Sequence, residues 1–172
     1  MEVYIASQIL CVFGLILFVI SMQKHNKKSI LKWQAYSFSF YAMQYFLLGA
    51  YSGMLTYLIN MLRSVMFFIF EDKKSIFKYL VVLFIAISII MGIFTYKGIF
   101  DIIPIINSIL SILNVVQNDI KNIKIGQIII SLLWIIYDIK VYSYIAIISE
   151  IIVIVSAIKG AKSSTKLLCA KN

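Results

Sequence analysis

Thr56, Asn60 and Arg63 recur at helical spacing within one apolar stretch (53–70), and Asn107, Ser111 and Asn114 repeat that spacing in another (99–117). A further stretch (143–158) carries Glu150 near its middle, and the stretch 34–50 carries Gln44 beside Tyr41 and Tyr45. Residues three, four and seven apart share one helical face, so the first two sets form polar stripes. Amides in such stripes can exchange hydrogen bonds with a hydroxylated or zwitterionic solute, and a carboxyl can also carry a proton. Aromatic faces, here Trp134 and Tyr41, can wall the same site by stacking. Asn60, Glu150, Asn107, Asn114, Trp134, Tyr41 and Gln44 are the candidate solute-binding residues.

Other chemistries lack their residues. No nucleophile–base pair, phosphate loop or metal cluster is visible, so neither an enzyme nor a catalytic residue is expected. His25 stands alone in a lysine loop, and Cys11 and Cys169 lack the paired spacing of a zinc site. No metal or cofactor is expected, and a disulfide between an apolar run and a polar tail is disfavoured.

The elements that position these residues must suit lipid. Of 172 residues, 62% are hydrophobic and 13% charged, and the mean hydropathy is +0.98. A soluble domain is nearer half apolar and a quarter charged, so too few polar side chains exist to cover a small globule. The net charge of +9 sits in short lysine clusters between long apolar runs. That placement marks cytoplasmic loops of a membrane protein, not a nucleic-acid face. Only Glu2 precedes the first run while Lys24, Lys27 and Lys28 follow it, the reverse of a signal peptide. A retained first span with its amino terminus outside is expected.

Apolar runs occupy 5–22, 34–50, 53–70, 79–96, 99–117, 125–139 and 143–158. They are continuously apolar instead of alternating, which disfavours a β-barrel and leaves helices as the way to satisfy the backbone in lipid. Several are short for a bilayer, and the sixth is the weakest because Asp138 and Lys140 interrupt its end. With seven spans, thirteen lysines fall on one side and only Lys97 and Lys140 on the other. The positive-inside rule then puts the amino terminus outside and the carboxyl terminus in the cytoplasm.

A shift of 93 residues superposes the first two spans on the fifth and sixth, bringing Gln34 onto Gln127, Lys28 onto Lys121 and Tyr41 onto Trp134. The third spans align if the second outer turn is three residues shorter, which sets Asn60 over Glu150. The expected plan is an all-α membrane protein with two three-helix repeats joined by a linker helix. Residues 1–70 form the first repeat, 71–98 the basic loop and linker helix, 99–158 the second repeat and 159–172 a cytoplasmic basic tail. Transporters built from repeats bind solutes near the midplane, where Asn60 and Glu150 are expected to meet.

The segment YFLLGAYSGMLTYLINMLRS (45–64), with Gln23 and Gln34 upstream, resembles the YgjV-type family of bacterial inner-membrane proteins. The resemblance runs on through SLLWIIYDIKVYSYIAIISE (131–150). It implies a multi-pass protein of the bacterial cytoplasmic membrane. Through a distant similarity to the MtN3/SWEET and PQ-loop superfamily, it also implies a three-one-three architecture and transport of sugar-like or amino-acid-like solutes. The chain departs from that superfamily in lacking a Pro-Gln dipeptide. Its single proline, Pro104, aligns with Cys11 in the first half.

Several residues carry two readings. Asn60 and Glu150 either line a pocket or hold helices together, since interhelical hydrogen bonds of about 0.6 kcal/mol are common in bundles. Arg63 is either a counter-ion for Glu150 or a snorkelling residue reaching the cytoplasmic headgroups, the latter favoured. Trp134 is favoured as packing over a solute wall, and Asp138 is expected at the interface. The leading function is a small-solute transporter or facilitator; the alternative is a non-transporting membrane protein that binds or stabilises a partner complex. The lipid bilayer and a small polar solute are the expected partners, and the sequence leaves a homo-oligomer open.

Overall fold

The computed structural model describes residues 2–96 and 98–169, the side chains of Lys74, Ser75 and 164–169 excepted. Within them lie α1 (Glu2–Met22), α2 (Lys27–Leu47), α3 (Tyr51–Phe70), α4 (Lys74–Thr95), α5 (Ile102–Val116), α6 (Ile120–Lys140) and α7 (Tyr144–Cys169). A single 3-10 turn (Ile99–Asp101) leads into α5. Lys97 and Lys171, and the side chains of Lys74, Lys166 and Cys169, which entered the charge count and the cysteine expectation, lie outside the described residues. The tail expected from 159 continues α7 as helix to Cys169.

Six of the seven helices are long and apolar enough to cross a membrane; α2 is the exception. The weak member is therefore α2, not the sixth run. Gln34, Ser37 and Gln44 of α2 are buried, while Tyr36, Met43 and Phe46 face outward. Packed between α1 and α3, this helix turns polar residues toward protein, so its composition understates how apolar its outer face is.

The same inversion holds throughout. Among the described residues, buried polar side chains are as numerous as buried apolar ones, and large apolar side chains cover the outside. α4 shows the outward face most openly, with Val82, Ile93 and Phe94 exposed and Leu80, Phe84 and Ser88 buried. It packs on α3 and α5, and Ser88 shares a 2.7 Å hydroxyl contact with Ser108 of α5.

Local chemistry repeats at the spacing of 93. Asn26 caps α2 by accepting from Lys28 N at 2.8 Å, and Asp119 caps α6 by accepting from Lys121 N at 2.9 Å. Such caps satisfy amides that the first turn leaves without partners. At the opposite ends, Leu48 N donates to Gln44 O and Ala50 N to Tyr45 O; Val141 N donates to Tyr137 O and Ser143 N to Asp138 O. Both turns pass through a left-handed residue, Gly49 at φ 69° and Tyr142 at φ 55°. The two turns are thus the same length, which corrects the shorter second turn expected above. Register continues without a gap, and Glu150 falls on Tyr57, one helical turn before Asn60. Packing between the halves is reciprocal, α1 against α7 and α3 against α5.

Pro104 does not act as a hinge within α5. It lies in the first turn, where no amide donor is required, and the helix runs on to Val116.

A tyrosine in the left-handed region carries strain that glycine avoids. Tyr142→Gly should raise unfolding stability in micelles by about 0.5–1 kcal/mol, whereas Gly49→Ala should lower it by about 1 kcal/mol. Denaturant titration of both variants beside the parent checks the pair; equal effects of one sign would contradict the shared turn geometry.

Candidate functional site

At the end where α1 begins, the α2–α3 and α6–α7 turns and the 3-10 turn surround an open pocket of about 490 Å³. Ser52, Thr95, Asp101, Tyr137 and Lys140 supply its polar lining. Ser52 Oγ donates to Asp101 Oδ1 at 2.8 Å and lies 2.7 Å from the Tyr137 hydroxyl. Next to Tyr137 on α6, Asp138 is fully buried and accepts a short hydrogen bond from the Tyr45 hydroxyl of α2. Asp138 thus faces neither water nor headgroups: the last turn of α6 directs it inward onto α2. Removing one partner from a buried pair leaves the other without its hydrogen bond, at about 1–3 kcal/mol.

Deeper along α3 and α6 lies a layer of stacked rings. Tyr57 stacks on Trp134 with centroids 4.6 Å apart and on Tyr45 at 5.3 Å, and it meets Tyr41 at 5.1 Å. Two small residues admit these rings. A Cβ on Gly14 would come within 3.3 Å of the Tyr41 ring, and one on Gly53 within 2.9 Å of Tyr45.

Beneath the rings is a second cavity, lined by Tyr57, Asn60, Ser111, Gln127, Trp134 and Glu150 among others. Its volume is about 10 Å³, the space of a single water at most. The centre of the bundle is therefore nearly filled in this state and admits no sugar or amino acid. Asn60 Oδ1 and Glu150 Oε2 are buried without a hydrogen-bond partner in the protein.

Four expected residues, Asn60, Glu150, Trp134 and Tyr41, thus converge on one cavity. The other three do not line it. Gln44 Nε2 donates to Ser143 Oγ at 3.0 Å, joining α2 to the start of α7. Asn114 Nδ2 donates to Ile123 O at 2.8 Å, joining α5 to α6 over Gly126. Asn107 is fully buried, and neither of its amide atoms has a protein partner.

Arg63 departs from both of its readings. It is fully buried and so does not snorkel, and it makes no ion pair with Glu150; its Nη1 donates to Ser111 Oγ at 2.9 Å. Lys124, counted above as a loop residue, is also fully buried, inside α6, with Nζ on Gly160 O at 3.1 Å. Sequence reasoning missed Tyr57 and the Tyr45–Asp138 bond. A signal for Tyr57 was present, since it precedes Asn60 by nearly one turn of the same face. Tyr45 and Asp138 are also related by the 93-residue shift, although that shift gives no account of their contact.

At the lysine-rich end, side-chain contacts tie elements together. Lys28 pairs with Asp72 at 2.6 Å, linking the first turn of α2 to the α3–α4 connection. The Asp72 carboxylate hydrogen-bonded to Lys28 raises that ammonium above its ordinary range, while burial lowers neighbouring Lys27, whose Nζ lies 3.3 Å from Gln117 O. Gln23 Nε2 donates to Ser156 Oγ at 2.8 Å, which fastens the end of α1 to α7.

A family model described as a bacterial inner membrane protein, Imp-YgjV, matches residues 5–161. The chain belongs to the Imp-YgjV family. It is a multi-pass protein of the bacterial inner membrane, in keeping with its six apolar spanning helices. No curated protein and no solved structure matches it.

For this Imp-YgjV protein, a double-mutant cycle with Tyr45→Phe and Asp138→Ala should return a coupling of about 1 kcal/mol, within the range of buried intramembrane pairs. Unfolding in detergent supplies the four free energies. Additive effects would remove the bond from the set that holds α2 to α6.

Proposed function

We propose that this protein is a small-solute transporter or facilitator, not an enzyme, with its site between two three-helix units. In this reading α1–α3 and α5–α7 are the units and α4 joins them. The equal turns and caps 93 residues apart support it, as does the reciprocal packing of α1 on α7 and α3 on α5. The lysine-rich end faces the cytoplasm by the positive-inside rule, so the amino terminus and the open pocket face outward.

One observation carries the transport reading. The open pocket and the central cavity succeed one another along α3 and α6, from Ser52 and Tyr137 to Tyr57, Trp134 and Asn60. Polar groups inside a membrane are costly, and transporters place them along solute paths. In this reading the lysine end is the closed side, with Lys28–Asp72 and Gln23–Ser156 among its ties, and the ring layer separates pocket from cavity. Transport requires this layer to part and the lysine-end ties to exchange with closure at the pocket.

A second reading, a non-transporting protein that binds or stabilises a partner complex, draws support from the nearly filled centre. Solute counterflow in proteoliposomes, screening sugars and amino acids, separates the two. Asn60→Ala and Glu150→Ala should each reduce counterflow at least tenfold with folding intact, the effect of losing about 1.4 kcal/mol of binding. Counterflow in the parent that neither substitution alters would displace the site from this cavity. A parent inactive toward every solute while Asn60→Leu and Glu150→Leu gain stability favours the second reading.

A further inference from the structure

The bundle holds a buried cation without an ion pair. Arg63 lies about 18 Å along α3 from Tyr51 at 1.5 Å per residue. It is fully buried and takes no part in the Lys28–Asp72 pair, and its one hydrogen bond goes to a neutral serine. An unpaired charge taken out of water carries a penalty of several kcal/mol, about 2.5–3.5 kcal/mol even on insertion scales. Such a group is retained where something compensates it.

The pattern of its hydrogen bonds indicates what that is. Nη1 is anchored on Ser111 Oγ at 2.9 Å, while Nε and Nη2 have no partner in the protein. Nε and Nη2 lie on the same edge of the planar guanidinium, and their parallel N–H groups form the fork that grips two oxygens at once. Ser111 also lines the central cavity, and so does Asn60, one helical turn before Arg63 on α3. Arg63 is not itself among the lining residues, but Nη1 is held by a serine of the cavity wall, and its two free donors are buried one helical turn from Asn60.

We propose that this edge of Arg63 is an anion site and that it receives the carboxylate of a small solute. A carboxylate is planar and offers two oxygens at the spacing of the two donors. A phosphate dianion calls for a second cation, and the other buried one, Lys124, is engaged with Gly160 O on α7. A lipid headgroup is excluded by the complete burial of the side chain. Asn60, with its free amide oxygen, and the faces of Tyr57 and Trp134 meet the remainder of the solute. Because the cavity has room for only a water-sized group, the solute enters when the ring layer parts. This assignment rests on the transport reading for the solute's route, whereas binding itself is measurable without transport.

Purified full-length protein in detergent, unfolded thermally at fixed ionic strength, is titrated with acetate, chloride or inorganic phosphate. Acetate should stabilise the parent saturably. Arg63→Gln should weaken that response about 10- to 100-fold, the effect of losing a charged hydrogen-bonded partner. Arg63→Lys, which keeps the charge and loses the fork, should weaken it about tenfold. No response of the parent to acetate, or an equal response in Arg63→Gln, overturns the site. A response to phosphate or chloride without one to acetate overturns the carboxylate assignment. If Arg63→Gln does not fold, parent-like acetate affinity in Arg63→Lys overturns the two-donor geometry. Arg63-dependent acetate binding without counterflow sustains the site and removes the transport reading; counterflow of a neutral solute without acetate binding does the reverse.

Discussion

A bilayer offers no hydrogen bonds, so each backbone group must find its partner inside the protein and each polar side chain must turn away from lipid. The rest of this structure follows from that constraint. Helices close their own amides, and Asn26 and Asp119 serve first-turn donors at the exposed starts of α2 and α6. Serines, amides and ionisable groups move inside, while isoleucine, valine and phenylalanine cover the exterior. The interior therefore coheres through interlocking polar contacts and stacked rings as much as through apolar packing. Cys11 with Ser149, Ser37 with the Gly14 carbonyl, and Gln44 with Ser143 each bridge two helices.

These contacts are distributed unevenly along the bundle. Of the buried acidic groups, Asp138 lies at the end of α6 beside the pocket residue Tyr137, and Glu150 of α7 lines the central cavity. The buried basic groups, Arg63 and then Lys124, lie toward the lysine-rich end. Asn60 and Glu150, both at the central cavity, are among the residues with a partner-free buried polar atom.

Much of the helix content was legible because periodicity and composition are local properties. All seven runs became helices, and most differences were at the ends, where Asn26 and Asp119 start α2 and α6 earlier than the apolar runs do. The comparison of apolar strength failed at α2 because composition averages over all faces, whereas lipid touches only one. The alignment of Asn60 with Glu150 relied on a shorter turn that the matching Gly49 and Tyr142 geometry removes. Both residues nevertheless reach the same cavity, since a shift of three residues nearly preserves the face of a helix.

By itself, the sequence determined the solvent, the helical class, the repeated caps and turns and which side chains share a stripe. Those properties depend on residues close together in the chain or on a spacing of 3.6 residues per turn. Tertiary structure alone decided which stripes meet: Tyr45 with Asp138, Tyr57 with Trp134, and Arg63 with Ser111 instead of Glu150 or the headgroups. It also decided that the centre holds about one water's volume. Helical periodicity specifies the direction of a side chain about its own axis, but the rotation and depth of neighbouring helices arise only when all of them pack together.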